Sequence, residues 1–231
     1  MRDFTIDRRL LSAADLVRQG AVFADVGTDH AYLPIFLLSR GIIERAVCSD
    51  INAGPLESAR VNVAHNGFLE KVDFYLTDGA RELFDTGATD YAICGMGGEL
   101  IAKIIDDAPH LKNSGINLIL QPMSRQGSLR EYLYTNGFCI DSECYSTSSG
   151  KHYVCIRATY TGKCQTLSDV DYELGLIQSV ANESYVEYLR VKHKALCRAI
   201  EGKGLSNDSS DYELRLKKAI EERLIEVNDS K

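Results

Sequence analysis

The chain has 231 residues, of which 45% are hydrophobic and 26% are charged, and its formal net charge is −7 at pH 7. This composition predicts an ordinary globular protein with one sizeable core and an appendage. The acidic excess lies in residues 1–150. It disfavours tight non-specific binding of nucleic acid, yet leaves room for a local basic patch that reads one RNA shape.

Targeting and cysteine patterns predict a cytoplasmic protein. The start, MRDFTIDRRL, lacks the apolar run of a signal peptide, and no segment approaches the roughly 20 apolar residues that span a bilayer, so we expect no membrane association. The seven cysteines include no C-x-x-C pair, which argues against a disulfide framework and a zinc ribbon. Cys48, Cys94 and Cys155 lie in apolar runs and are expected to be small buried hydrophobes.

Strand-like runs alternate with helical patterns along the first part of the chain. Strands are predicted at residues 21–27, 45–51, 72–79, 90–96 and 117–122, with a final hairpin at 139–149 and 151–161. Helices are predicted after the first strand and at residues 54–67, 98–108 and 125–137. This alternation predicts an α/β fold with a mostly parallel sheet covered on both faces.

A different pattern begins near Asp169. Apolar residues recur at spacings of three and four, which is typical of a helix with one apolar stripe. They are Leu174, Ile177, Ala181, Tyr188, Val191 and Ala195. A breaker at residues 202–211 precedes a second helix with Leu216, Ile220, Leu224 and Val227. We predict a helical hairpin that serves either as a packing arm or, favoured slightly by its basic residues, as a substrate-binding arm.

In parallel sheets, ligands bind beyond the carboxyl ends of the strands, near the point where the strand order reverses. The first such turn, between residues 21 and 37, has one glycine, Gly27, flanked by Asp25 and Asp29, and no nearby Lys or Arg. A pyrophosphate would meet like charge there, whereas S-adenosylmethionine carries a sulfonium and an ammonium and no phosphate. The turn therefore favours S-adenosylmethionine over NAD.

Further acidic residues follow the next two strands. Asp50, after the second strand, is placed to accept hydrogen bonds from a ribose diol, and Asp78 with Gly79 is placed to meet an adenine ring. Each acid also has a plainer interpretation, since Asp29 could cap the following helix and Asp50 could cap a turn. For Asp29 taken alone we favour the cap. Their joint occurrence at successive strand ends favours the cofactor.

Two other site types find little support. His30 has no second histidine at a metal-ligand spacing, so we predict no metal, and the absence of G-x-S-x-G argues against a serine hydrolase. CGMGG at residues 94–98 places three glycines between a strand and a helix. Such a loop suits close approach to a flat ligand, although a tight turn explains it equally.

Five segments together resemble the bacterial tRNA (adenine-22)-N1-methyltransferases, the TrmK family. They are DVGTDHAYLP, SDINAGPLESARVN, TDGARE, ICGMGGELIAKII and LILQPMSRQGSLREYL, in the same order and spacing, and the likeness covers roughly residues 5–160. The helical end resembles that family's coiled-coil C-terminal domain in placement and periodicity. The resemblance implies a Rossmann-like class I S-adenosylmethionine-dependent methyltransferase domain at residues 1–162, a helical hairpin at 163–231, and methylation of N1 of adenine 22 in tRNA.

The resemblance also implies a set of cofactor contacts. They are Gly27, Thr28, Asp29, His30, Asp50, Asn52, Asp78, Gly79, Gly95 and Met96. The charge argument adds Asp25 to this set. Some members of the family have Glu where this chain has Asp50, which keeps the carboxylate with a shorter reach. The chain has no N-P-P-Y or D-P-P-Y motif after the fourth strand, in agreement with methylation of a ring nitrogen and not of an exocyclic amine.

Roles for single residues follow from this assignment. Asp29 is the candidate catalytic residue, as a proton acceptor or as a group that stabilises the cationic product. Tyr32 is a candidate stacking partner for a base turned out of the RNA. Candidate phosphate contacts are Arg8, Arg9, Arg125, Arg130, Arg190 and Lys194. No obligate protein partner is predicted.

Three other functions stay open. One is a methyltransferase of the same fold that acts on a small molecule or a protein. Another is a non-catalytic cofactor sensor or RNA-binding module, which would bind the cofactor without turnover. A dehydrogenase ranks last because the chain lacks the glycine-rich phosphate loop.

Overall fold

The computed structural model describes residues 4–176, 183–206 and 211–229. Within these residues the chain forms seven strands and eight α-helices. The strands are β1 (Val22–Val26), β2 (Arg45–Asp50), β3 (Val72–Leu76), β4 (Asp90–Gly97), β5 (Asn117–Ser124), β6 (Phe138–Ser148) and β7 (Lys151–Tyr160). The helices are α1 (Arg8–Ala14), α2 (Tyr32–Ser39), α3 (Ala53–His65), α4 (Gly98–Asp106), α5 (Gln126–Thr135), α6 (Asp169–Leu174), α7 (Glu183–Ser206) and α8 (Asp211–Asp229).

All seven strands belong to one sheet in the order β3-β2-β1-β4-β5-β7-β6. The first five are parallel, and β7 joins β5 and β6 antiparallel. The prediction of a mostly parallel sheet that ends in a hairpin is therefore confirmed. The strand order reverses between β1 and β4, so the carboxyl ends of these two strands open the crevice where such sheets bind ligands.

Two apolar layers cover the sheet. Along β1, Phe23 packs with α1, α2 and α3, whereas Ala24 packs with α4 and α5 on the other face. This alternation follows from the period of two in a strand. Ile35 of α2 and Ile101 of α4 are fully buried, and each such side chain contributes about 1.5–3 kcal/mol. The rigid sheet between these layers holds the strand ends in place.

Helix α1, which the sequence analysis missed, lies against β5, β6 and β7. Asp7 caps its first turn by accepting a hydrogen bond from the Leu10 N–H at 2.8 Å. After the helix, Arg18 forms an ion pair with the fully buried Asp90, donating from Nε at 2.7 Å and from the backbone N–H at 2.9 Å. Asn117 Nδ2 also donates to Asp90, at 2.8 Å, so this buried carboxylate is satisfied and fixes the N-terminal segment to the sheet.

The C-terminal helices differ in part from the predicted hairpin. Leu174 ends α6, where Gly175 adopts φ 77, and does not belong to the longer α7. The buried side of α7 contains Tyr185, Tyr188 and Leu189. The predicted stripe residues Val191 and Ala195 are exposed instead, since the contact with α8 follows the neighbouring positions. Ile177 and Ala181, and the side chain of Val227, lie outside the described residues.

The breaker predicted at residues 202–211 starts too early. Helix α7 continues to Ser206, so Gly202 and Gly204 lie within it. From α8, Leu216 and Ile220 are buried against α6 and α7, as the periodicity predicted. Among the described residues, none of the helices combines the length and the apolar composition required to cross a membrane. The division at residue 162 stays a prediction.

Candidate active site

A cavity of about 550 Å³ lies at the reversal point of the sheet. Three parts of the chain form most of its wall: the end of β1 with the turn that follows it, the end of β4, and the start of α1. Seven of the predicted site residues line it, namely Arg9, Asp25, Gly27, Asp29, His30, Gly95 and Met96. The sequence therefore predicted most of the lining residues from the turn after β1 and from the end of β4.

Gly27 allows the two loops to approach each other. Its φ is 78, a conformation that favours glycine, and a Cβ at this position would overlap the methyl group of Met96. The N–H groups of Gly27 and Thr28 both donate to Ser49 O at 2.8 Å, which ties the turn after β1 to the end of β2. A larger residue at position 27 would strain the backbone and displace Met96.

Asp25 is the buried acid of the cavity, with 8% of its surface exposed. Its pKa is raised to about 6, mainly by burial, against the lowering effect of a 2.5 Å hydrogen bond from Thr28 Oγ1 and with a smaller rise from the negative charge of Asp50. A carboxyl group with this pKa is partly neutral near pH 6, and a bound cation would favour its ionised form. The site thus fits a positively charged ligand.

Asp29 and His30 form the outer part of the same turn. The Asp29 carboxylate is 74% exposed and lies 3.4 Å from His30 Nε2. The preference for Asp29 as a helix cap is wrong. The N-cap of α2 is Ala31, which adopts φ 55, and no side chain accepts a hydrogen bond from the first turn. Because two residues separate Asp29 from Tyr32, its carboxylate is free to face the cavity.

The acids after β2 and β3 lie beside this cavity and do not line it. Asp50 Oδ1 accepts a hydrogen bond from the Asn52 N–H at 2.7 Å, so the predicted turn cap is present. The Thr77 N–H donates to Asp50 O at 3.0 Å and joins the two strand ends, next to the exposed Asp78. Gly79 has φ 68, and a Cβ there would lie 3.2 Å from Ile104 Cγ2. These residues lie at or just after the carboxyl ends of β2 and β3, at the same edge of the sheet as the cavity.

The end of β4, where the sequence predicted a loop, provides the opposite wall. The pairing with β5 is irregular around Gly95, which has φ 80. Gln121, fully buried on β5, accepts hydrogen bonds from the Gly95 N–H at 3.2 Å and from Arg9 Nη1 at 2.9 Å. Cys94 lies in the cavity wall, and burial, with a smaller contribution from Asp25, raises the pKa of its thiol to about 12. The Cys94 thiol is therefore neutral at physiological pH.

Sequence reasoning missed several residues of the cavity: Asp7, Leu10 and Tyr153. The helix cap at Asp7 was a recognisable signal for α1, but nothing local indicates that this helix reaches the site. Arg9 had been assigned to phosphate contacts and proves to be a wall residue, with its guanidinium held by Gln121. Tyr153 enters from the antiparallel strand β7, which lies two strands away from β4.

The six predicted phosphate contacts fall into different environments. Arg8 and Arg190 are exposed and share a second cavity of about 400 Å³ with Thr147. Lys194 and Arg125 are exposed as well, with Arg125 Nε 3.7 Å from the Glu99 carboxylate.

Arg130 does not fit the prediction of a phosphate contact. Its side chain is only 1% exposed, and it donates to Glu143 at 2.6 Å and to the carbonyl oxygens of Tyr172 and Glu173. The predicted contact is wrong because every donor already faces a buried partner and no surface is left for RNA. Arg130 instead links α5, β6 and α6.

No metal site is apparent in the described parts of the chain, where no three His, Cys, Asp or Glu side chains come together as ligands. The fold, the turn without a phosphate loop and the cavity at the reversal point define a Rossmann-like methyltransferase domain. Residues 6–156 match the sequence model of a family described as a methyltransferase domain.

Relatives narrow this class. The chain is 29% identical to the tRNA (adenine(22)-N(1))-methyltransferase of Bacillus subtilis, over 77% of this chain and 74% of that protein. It is 30% identical to a candidate tRNA methyltransferase of Mycoplasma pneumoniae, over 78% and 85% of the two chains. A further relative of known structure is Streptococcus pneumoniae Sp1610, a candidate tRNA (m1A22) methyltransferase solved in complex with S-adenosyl-L-methionine. Its superposition on this chain has a TM-score of 0.83 at 32% identity and covers 95% of this chain and 100% of that chain. The chain belongs to the TrmK family of bacterial tRNA (adenine-22)-N1-methyltransferases.

Proposed function

We propose that this protein transfers a methyl group from S-adenosyl-L-methionine to N1 of adenine 22 in tRNA. The observation that carries the proposal is the cavity at the strand reversal, which contains the buried Asp25 carboxyl and a turn without a phosphate loop. Such a site suits a cationic cofactor and repels a pyrophosphate. Membership of the TrmK family indicates that the substrate is adenine 22 of tRNA.

The described residues suggest how the cofactor is held. Asp25, with the turn at Gly27 and the loop at Gly95, would surround the sulfonium and amino acid end, because these groups lie in one cavity. Asp50 and Asp78, at the ends of the next two strands, would bind the ribose and the adenine. When bound, the cofactor supplies an electrophilic methyl group on a positively charged sulfur.

Little acid–base chemistry is required of the protein. The N1 lone pair of adenine attacks the methyl carbon, the carbon–sulfur bond breaks, and the positive charge moves from sulfur to the base. Asp29, exposed at the mouth of the cavity, would accept a hydrogen bond from the adenine amino group and stabilise this new cation. The main contribution of the site is to align base and methyl group.

RNA binding would use charges outside the cavity. Arg8 and Arg190, from α1 and α7, lie around one cleft and are candidate contacts to tRNA phosphates. Arg125 and Lys194 are further exposed candidates. Arg9 would face the base or the cofactor, since its guanidinium is held by Gln121 in the cavity wall.

A labelling experiment tests the proposed function. Radiolabelled S-adenosylmethionine is incubated with an unmodified tRNA transcript carrying adenine at position 22, and with an otherwise identical transcript carrying guanine there. Label on the adenine transcript alone is the expected result. If the protein binds the cofactor but labels neither transcript, the tRNA assignment is wrong and a small-molecule substrate or a sensor role takes its place.

A further inference from the structure

A groove of about 590 Å³ adjoins the active-site cavity on its outer side. Helix α3 forms its floor, and the turn after β1 forms its wall. Its lining includes His30 and Tyr32 from the wall, and Glu57, Ser58, Val61 and Asn62 from α3. His30 and Tyr32 also line the active-site cavity, so one pair of side chains separates the two spaces. We call this space the α3 groove.

The shared wall is a pair of stacked rings. The His30 and Tyr32 centroids are 5.1 Å apart with an interplanar angle of 28°. Ala31 between them is buried, and Asn62 Nδ2 donates to His30 O at 3.1 Å, which fastens the turn to α3. On its far side Tyr32 also contacts Phe4, with ring centroids 6.1 Å apart. The wall is thus supported by α3 on one side and by Phe4 on the other, while 45% of Tyr32 stays exposed.

The chemistry of the α3 groove indicates what it binds. Its surface is largely apolar, with Val61 54% exposed beside the aromatic wall. Glu57 adds a carboxylate at the edge, and Ser58 and Asn62 add polar groups. None of the lining residues is Lys or Arg, so the groove does not suit a phosphate. A flat ring with apolar faces and an amino group on its edge matches this surface.

We infer that the α3 groove binds the base of a nucleotide next to the methylated adenine, while the adenine occupies the active-site cavity. This inference rests on the proposed function and adds a second recognition site to it. His30 and Tyr32 would then stand between the two bases and hold them apart. Stacking on the protein offsets part of the cost of unstacking the RNA.

The test combines protein variants with altered RNA. Val61→Asp places a charge in the α3 groove at an exposed position, and Ala64→Asp places the same charge on an exposed position of α3 outside it. KM and kcat are measured for each protein with intact tRNA and with transcripts that lack the base at position 21 or at position 23. Because an abasic nucleotide keeps its phosphate, repulsion between the new aspartate and the RNA backbone is equal for the intact and the abasic transcripts.

For the wild type, removal of one of the two neighbouring bases is expected to raise KM about tenfold, the effect of one lost stacking contact. Val61→Asp should raise KM for intact tRNA by a similar factor and add little with that abasic transcript. Ala64→Asp should leave KM close to that of the wild type.

Three results would overturn the inference. Val61→Asp could raise KM equally for intact and both abasic transcripts, or have no more effect than Ala64→Asp. It could also weaken cofactor binding in calorimetry, in which case the α3 groove belongs to the cofactor site. A wild-type protein that fails to methylate intact tRNA would overturn the proposed function itself, and this inference with it, so the two failures are distinguishable.

Discussion

At the scale of single residues, burial makes the ionised form of the Asp25 carboxyl unfavourable. Its pKa is raised from 3.8 to about 6 by burial, so the folded protein binds this proton more tightly than the unfolded chain does. The free energy of unfolding therefore decreases as the pH rises from about 4 to about 6, and stays at the lower level above that. A pKa shift from 3.8 to about 6 corresponds to a decrease of about 3 kcal/mol at most in the free energy of unfolding.

Asp25→Asn should consequently stabilise the cofactor-free protein at pH 7, by on the order of 2 kcal/mol, because an amide needs no ionised form and can still accept the Thr28 hydrogen bond. Urea unfolding of both proteins at pH 5 and pH 7 measures this. The difference between variant and wild type should be larger at pH 7. Equal differences at the two pH values would show that Asp25 does not titrate in this range.

Asp29 allows a second residue-scale prediction, because its carboxylate is exposed and makes no cap. Asp29→Ala should lower kcat about 100-fold, the usual size of an assisting proton acceptor, with little change in stability. The cofactor Kd should change much less. Asp29→Asn, which keeps an acceptor oxygen without the charge, separates hydrogen bonding from stabilisation of the cation. Equal losses in kcat and cofactor affinity would make Asp29 a cofactor ligand only.

At the scale of elements, two buried guanidinium groups hold the helical end in place, and Arg130 joins this end to the sheet domain by donating to two backbone carbonyl oxygens of α6. Arg130 of α5 donates to Glu143 of β6, which also accepts from the Tyr145 hydroxyl at 2.7 Å. Arg223 of α8 donates to Gly175 O at 2.5 Å and to Asp171 at 3.0 Å. Each guanidinium thus connects elements that are distant in sequence, and the loss of one partner would leave a buried charge.

Arg130→Met should lower the free energy of unfolding by about 3–5 kcal/mol, because Glu143 is left buried without its partner. Arg125→Met is the matched control, since its contact with Glu99 is exposed on both sides and should cost no more than about 1 kcal/mol. Urea unfolding compares the two. Similar values for both variants would show that the Arg130 pair is solvated in solution.

At the scale of the whole molecule, an acidic protein has to bind a polyanion. The net charge of −7 opposes this, so binding depends on local groups. Arg8 and Arg190 lie around one cleft, although 182 positions separate them in the numbering, and Lys194 is one helical turn further along α7. The helical arm thereby brings Arg190 into the same cleft as Arg8 of α1.

Arg190→Glu combined with Lys194→Glu should weaken tRNA binding and reduce the slope of log Kd against log salt by about 1–2, since each lost phosphate contact removes roughly 0.7–0.9. Lys218→Glu is the control, because this lysine is 77% exposed on α8 of the same arm. Binding is measured by filter assay at several salt concentrations. Unchanged affinity in the double variant would assign the helical arm to packing alone.

Local patterns were sufficient for the order of elements and the strand-end residues. Apolar runs with period two and helices between them predicted the strands and the parallel part of the sheet, because burial on both faces demands such runs. Gly27 could be identified because it directly follows β1, and Asp25, Gly95 and Met96 because they lie in the last residues of β1 and β4. The position at which a strand ends is determined by the neighbouring residues in the sequence.

Burial and contact partners were decided by the tertiary structure. Arg125 and Arg130 look alike in the sequence, yet one is exposed and the other is enclosed by Glu143 and the start of the helical end. Arg9 meets Gln121 across 112 positions, and this contact brings α1 into the active site. The sequence by itself determined the fold class, the cofactor chemistry and the family. Which charges face the ligand depended on packing between distant segments, and no local pattern encodes that packing.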